Sequence, residues 1–247
     1  MIKNNKNSIC KLFIFGIAMT AIVFLLHFFA FNAKDEWKEF KSILKGKERI
    51  IDLARDKEKA YAIVSKEGRY DYGDFFVVFY LNDDNGWERI YENDFTGLKP
   101  WKIALADIDG DGVQDILTAV RKSTYYDKKE GNRLFVFNYK DNILVKKWTG
   151  SKIAGDWRMF YAGDFLEIKG DEIIFVEKKA DGRERLSIYY WFDFGFLRLA
   201  ESENFENIIN VSAISNNLLA VEYGTGKDKQ KRVLSVRDGK LLDAADE

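Results

Sequence analysis

The sequence predicts an all-β fold behind an N-terminal transmembrane helix, and three observations carry the β assignment. Short runs rich in Tyr, Phe, Val and Ile recur from Ile50 onward, and Gly, Asn and Asp separate them rather than proline, of which there is one. These runs come in groups of four. The groups repeat: Val77, Val136, Ile188 and Leu234 hold equivalent places in the third runs, 59, 52 and 46 residues apart, and Trp101 and Trp157 open their groups at a spacing of 56. Four-stranded units at a period of about fifty residues are the signature of blades stacked around an axis. One such sheet cannot cover both of its faces, so neighbours must stack. The expectation is a four-unit β-propeller-like repeat domain over 49–247, with four-stranded antiparallel blades at about 49–98, 99–153, 154–205 and 206–247.

The chain opens with a short basic tail, 1–11. Residues 12–31, LFIFGIAMTAIVFLLHFFAF, carry no formal charge. As a helix they span roughly 30 Å, one hydrocarbon core. The segment is longer than a signal-peptide core, and Phe31 fits a cleavage site poorly, so a retained anchor is expected. Lys3, Lys6 and Lys11 keep the N-terminus inside, which makes a single-pass cell-membrane protein with its C-terminal domain outside. In 34–47, Trp37, Phe40, Ile43 and Leu44 recur at helical spacing and predict an amphipathic stalk helix.

Strands follow at 50–54, 61–64, 75–81 and 87–91, then 102–106, 116–120, 134–138 and 144–148. The third group is 159–162, 172–176, 186–191 and 196–199, and the fourth 208–213, 218–223, 232–236 and 241–244. Asn85-Gly86 and Asp238-Gly239 are tight hairpin turns. Trp101, Trp157 and the Tyr125–Tyr126 pair invite a sugar-platform reading, but apolar runs of this kind more often pack between blades.

Composition removes several functions. The chain of 247 residues is 47% hydrophobic and 15% aromatic, enough for a sizeable core. Its formal net charge is −1, which leaves no electrostatic footprint for nucleic acid. Cys10 is the only cysteine and His27 the only histidine, both in the N-terminal region. The globular part therefore has no disulfide, no cysteine or histidine metal ligand, and no Ser-His or Cys-His catalytic pair.

The chemistry concentrates in Asp107-Ile108-Asp109-Gly110-Asp111-Gly112-Val113-Gln114-Asp115. Alternate residues of this loop turn inward. Asp107, Asp109, Asp111 and Asp115 then offer carboxylates and Val113 its backbone carbonyl to a Ca2+ ion, which takes six to eight oxygens. Gly112 permits the sharp turn. Four like charges in nine residues repel without a cation. An EF-hand would place Glu at position twelve, where this chain has Thr118, and would flank the loop with helices.

The loop and its strands, WKIALADIDGDGVQDILTAV, resemble the FG-GAP or VCBS repeats of integrin-α-like β-propellers. The resemblance implies a structural calcium held between the first two strands of a blade. A degenerate relative follows in the third blade, from Tyr161-Ala162-Gly163-Asp164-Phe165 to Gly170-Asp171-Glu172. The function expected from this is a non-enzymatic, calcium-stabilised, membrane-anchored module that binds a protein or cell-envelope polymer. Lys122, Thr124, Tyr126 and Arg133, on the long loop of the calcium-bearing blade, are its expected contacts. A calcium-dependent extracellular glycan-active enzyme is the alternative. It requires paired carboxylates across a cleft, for which Asp164 and Asp193 are candidates. A structural or assembly subunit is the third reading.

Overall fold

A computed structural model describes residues 37–150 and 152–245. The chain divides into two compact units, Met1–Gly46 and Lys47–Glu247. The described part of the first contains turns and one short 3-10 helix, Lys41–Ile43. No helix among the described residues is long and apolar enough to cross a membrane. The expected single-pass membrane placement is corrected on that finding; segment 12–31, on which it rested, lies outside the described residues, as do Cys10 and His27.

The second unit is all-β. Its strands are β1 (Arg49–Arg55), β2 (Lys59–Ser65), β3 (Phe75–Asn82), β4 (Gly86–Asp94), β5 (Pro100–Ala106), β6 (Asp115–Lys122), β7 (Gly131–Lys140) and β8 (Ile143–Thr149). They continue as β9 (Asp156–Gly163), β10 (Glu172–Lys178), β11 (Glu184–Phe192), β12 (Gly195–Phe205), β13 (Ile208–Ser215), β14 (Leu218–Tyr223), β15 (Gln230–Arg237) and β16 (Lys240–Asp243). Consecutive strands pair antiparallel within each group of four, so the chain is a series of four meanders.

Four separate sheets were expected, and there are three. β1–β4 and β5–β8 each form a sheet, but the last eight strands form one, in the order β13-β14-β15-β16-β12-β11-β10-β9. The seam is a short parallel pairing of Glu201 with Lys240 and Ser202 with Leu241. It gives backbone partners to two edges that would otherwise stand open.

The second strand of each of the first three meanders is buried almost throughout, as in Lys59–Ser65, Asp115–Lys122 and Glu172–Lys178. Three apolar cores result. Ile63, Phe76 and Val78 of the first meander pack with Ile103, Ile116 and Phe137 of the second. Leu117, Leu134 and Val136 pack with Trp157, Phe160 and Phe175. Ile174, Leu186 and Ile188 pack with Val211, Leu219 and Leu234. Each core is shared by consecutive meanders. Among the described residues, no core cluster joins the first meander to the fourth.

The repeat also shows in its irregularities. The register slips once near the start of each first strand, so that Ile51, Trp101, Arg158 and Ile209 are the unpaired residues of four equivalent bulges. The fourth strands of the first three meanders slip in the same way, at Ile90, Lys147 and Leu199. A bulge re-aims its side chain out of the strand's alternation.

Candidate functional site

The acidic loop joins β5 to β6. Ala106 and Asp115 are cross-strand partners at its base. The loop closes on its own backbone: Asp107 Oδ1 accepts from the N–H of Asp111 at 3.0 Å, and Oδ2 from that of Gly112 at 2.8 Å. Gly110 and Gly112 take φ of +64° and +85°, where a side chain is strained. A second clasp ties it to the β9–β10 loop. Asp171 Oδ2 accepts from Asp107 N–H at 2.8 Å, and Asp171 N–H donates to the Asp107 carbonyl at 2.8 Å. Gly170, at φ +83°, lies so close that a Cβ there would run into the Ile108 carbonyl.

This packing gathers Asp107, Asp109 and Asp115 so that one carboxylate oxygen of each lies within 4.8 Å of the others. The cluster can hold a metal ion. Asp115 is fully buried. It accepts from Ile108 N–H at 3.3 Å and Asn138 Nδ2 at 2.5 Å. The Lys147 ammonium stands 2.6 Å from Asp109 Oδ2 and 2.8 Å from Asp115 Oδ2. Burial pushes the Asp115 carboxyl above its ordinary value, opposed by Lys147 and Asn138. Burial pulls Lys147 down, yet Asp109 and Asp115 together hold it above the ordinary lysine value, so it stays charged. Asp109 Oδ1 is buried and has no hydrogen-bond partner.

Of the five ligands expected, three meet in the cluster. Asp111 and Val113 stay on the exposed outer turn, where Asp111 Oδ1 accepts from Val113 N–H at 2.8 Å. Sequence reasoning missed Lys147. Strand alternation gives no warning, because Lys147 is the bulged residue of β8 and leaves the pattern that Lys146 follows.

Beside the cluster opens a cleft of 620 Å3. Asp109 and Asp111 contribute to it from the acidic loop, Ile168 and Lys169 from the β9–β10 loop, and Tyr190, Trp191, Phe192 and Asp193 from the β11–β12 hairpin. Lys147 Nζ lies 5.7 Å from the centre of the Trp191 ring. Phe196 supports that ring edge-on at 5.0 Å. Asp193, at φ +55° in the turn, was a candidate from sequence and lines the cleft. Asp164 is not among the lining residues. Glu172, fully buried below the β9–β10 loop, accepts from the N–H groups of Phe165 and Leu166 at 2.9 and 3.0 Å.

Of the four expected contact residues, Thr124 and Arg133 both bond Asp127. Lys122 lies 5.7 Å from the Phe135 ring centre. Thr124 Oγ1 accepts from Asp127 N–H at 3.0 Å. Arg133 is 3% exposed and pairs with Asp127 at 2.5 Å. Only Tyr126, 95% exposed against the edge of Tyr125, faces solvent freely.

No family model matches the chain, and no curated protein matches it. Solved structures do. A proposed 6-phosphogluconolactonase from Bacteroides uniformis is 12% identical, with a TM-score of 0.48, over 80% of this chain and 54% of that one. A second proposed 6-phosphogluconolactonase, from Bacteroides fragilis, is 10% identical with a TM-score of 0.37, over 78% and 68%. A type IV secretion system related protein from Xanthomonas is 14% identical with a TM-score of 0.33, over 80% and 92%. The chain spans about half the length of the first of these. The expected FG-GAP or VCBS membership is corrected, since no family model supports it and these structures carry other names. The expectation of a non-enzymatic module is corrected too: two of the three names are those of enzymes, and the acidic loop borders a cleft rather than standing alone as a stiffened turn.

Proposed function

We propose that this chain is a hydrolytic enzyme acting on a carbohydrate-type substrate in the cleft between the acidic loop and the β11–β12 hairpin. The observation that carries the reading is the placement of carboxylates from two separate loops, Asp109 and Asp111 on one and Asp193 on the other, in a cleft with an aromatic wall. Trp191 and Tyr190 offer ring faces on which the apolar side of a sugar stacks. Asp193 takes the proton of the attacking water as the substrate's scissile C–O bond breaks and the leaving oxygen takes a proton from solvent, and Asp111 and Lys169 orient substrate hydroxyls at the rim. Asp107, Asp109 and Asp115 would hold a divalent cation. Their all-oxygen donor set suits Ca2+, and the buried, unpartnered Oδ1 of Asp109 fits that role. Such an ion would supply Lewis-acid polarisation of a substrate oxygen. The four meanders are read as blades of a propeller-like array, a reading supported by the shared cores and the fourfold repeated bulges.

The test is hydrolysis by the full chain of a panel of glycosides, glycan oligomers and sugar lactones, in calcium and in chelator. Turnover is expected on one class, with a loss of about 100-fold or more in Asp193→Asn at unchanged melting temperature. Absence of turnover on every class, or an Asp193→Asn variant as active as the parent, overturns the reading.

A further inference from the structure

A second cavity, of 410 Å3, lies at the other end of β5. The acidic loop follows Ala106, whereas Trp101, near the strand's start, lines this cavity. Six residues along an extended strand separate the two by roughly 20 Å. The cavity falls where the first three meanders converge, with Asp71 from the β2–β3 loop, Trp101 and Arg121 from β5 and β6, and Asp156, Trp157 and Lys178 from β9 and its surroundings.

Its polar groups are unsatisfied in a pattern. Trp157 is 1% exposed, and its ring centre lies 5.9 Å from that of Trp101. Both indole N–H groups are buried without an acceptor. Arg121 and Lys178 form no ion pair among the described residues, and neither do Asp71 and Asp156. The third cation of the lining, Arg158, is already committed, with two bonds to Glu184 and one to the Ile208 carbonyl. Asn132 Nδ2 donates to the Trp157 carbonyl at 2.6 Å and holds that residue in place. Trp101 and Arg158 are bulged residues of β5 and β9, so both are re-aimed at equivalent points of the repeat.

From this arrangement we propose a binding site for a small hydroxylated acid, a uronic-acid type of sugar. The Arg121 guanidinium calls for an anionic group, and the Lys178 ammonium, which lies across the strands from Glu184 and Asp156, adds positive charge beside it. The paired indole rings of Trp101 and Trp157 offer apolar surface to a sugar ring, and the two carboxylates call for hydroxyl donors. A neutral sugar leaves the cations unused, and an inorganic anion leaves the carboxylates unused. The volume suits one or two sugar rings. The site is independent of the hydrolytic cleft.

Calorimetry on the full chain tests this with galacturonate, galactose and inorganic phosphate as probes. Saturable galacturonate binding is expected, at least tenfold tighter than galactose, with phosphate unable to displace it. Arg121→Gln, at an exposed position, should cost galacturonate at least tenfold and remove its advantage over galactose, with melting temperature unchanged. Trp101→Leu removes one of the two ring faces and should weaken both sugars. Asp193→Asn should leave galacturonate binding intact even where it ends turnover, which separates this site from the cleft. No saturable galacturonate binding, displacement by phosphate, or an Arg121→Gln variant that binds like the parent overturns the proposal.

Discussion

Lys147 and Glu172 show what single side chains decide here. Lys147 is the internal counter-charge of Asp115, which is fully buried. Lys147→Met leaves that carboxylate unpaired and should cost roughly 3–5 kcal/mol in chelator. Added calcium should return much of the loss if the cluster takes the ion; denaturant unfolding in both conditions reads this, and a Lys147→Met variant indifferent to calcium counts against the cation site. Glu172 runs the other way. Burial, helped by Asp164 and Asp171 and opposed by the N–H groups of Phe165 and Leu166, pushes it up to about 7 from 4.5. A value raised in the fold favours the protonated form, so its contribution is full below 4.5 and is lost as pH rises through 7. Glu172→Gln mimics that form. It should gain roughly 3 kcal/mol over the parent at pH 8 and little at pH 4; an equal shift at both would place the effect elsewhere. Neither role was legible in the sequence. The carboxylates at 107, 109 and 115 announced themselves by spacing, but their partner lies 32 residues on from Asp115, in a strand whose bulge hides it.

At the scale of elements, all sixteen expected strands are present, because alternation and apolar runs report burial directly. The seam between β12 and β16 was not visible. It rests on two residue pairs made parallel by tertiary placement, which leaves no period in either strand. The fourth-strand bulges show how one meander was adapted: Ile90 and Leu199 are apolar where Lys147 is charged, and the charged residue occurs only in the meander with the intact acidic loop. The β5–β6 and β9–β10 loops act as one element through Asp107, Asp171 and Gly170. Gly170→Ala places a Cβ against the Ile108 carbonyl at a positive φ. It should cost roughly 2 kcal/mol or more and weaken calcium binding as well, because Asp107 is displaced with Ile108. Calorimetric titration and thermal unfolding of the variant check both; a stability loss with unchanged calcium affinity would uncouple the two loops.

For the whole molecule, the repeat period foresaw four similar units, and the structure adds how they are fastened. The three cores stand in series. The fourth meander is held by its shared core and by the β12–β16 seam, whereas the first is held by its core and by no seam to the fourth among the described residues. That inequality sets an order of dismantling. Neither the first meander nor the second shares a ladder with a neighbour, but the second lies between two cores and the first borders one, so the first should release first as the protein is warmed or loaded with denaturant. Amides of β2 and β3 should then exchange with solvent sooner than those of β14 and β15, as hydrogen-exchange mass spectrometry would show. Uniform protection across the four would mean that the array unfolds as one. The release bares Ile103, Ile116 and Phe137, an apolar face framed by β-strands. The same surface that stacks one meander on the next then becomes adhesive toward other molecules, so heat-induced aggregation of this protein should begin at the face between its first two meanders.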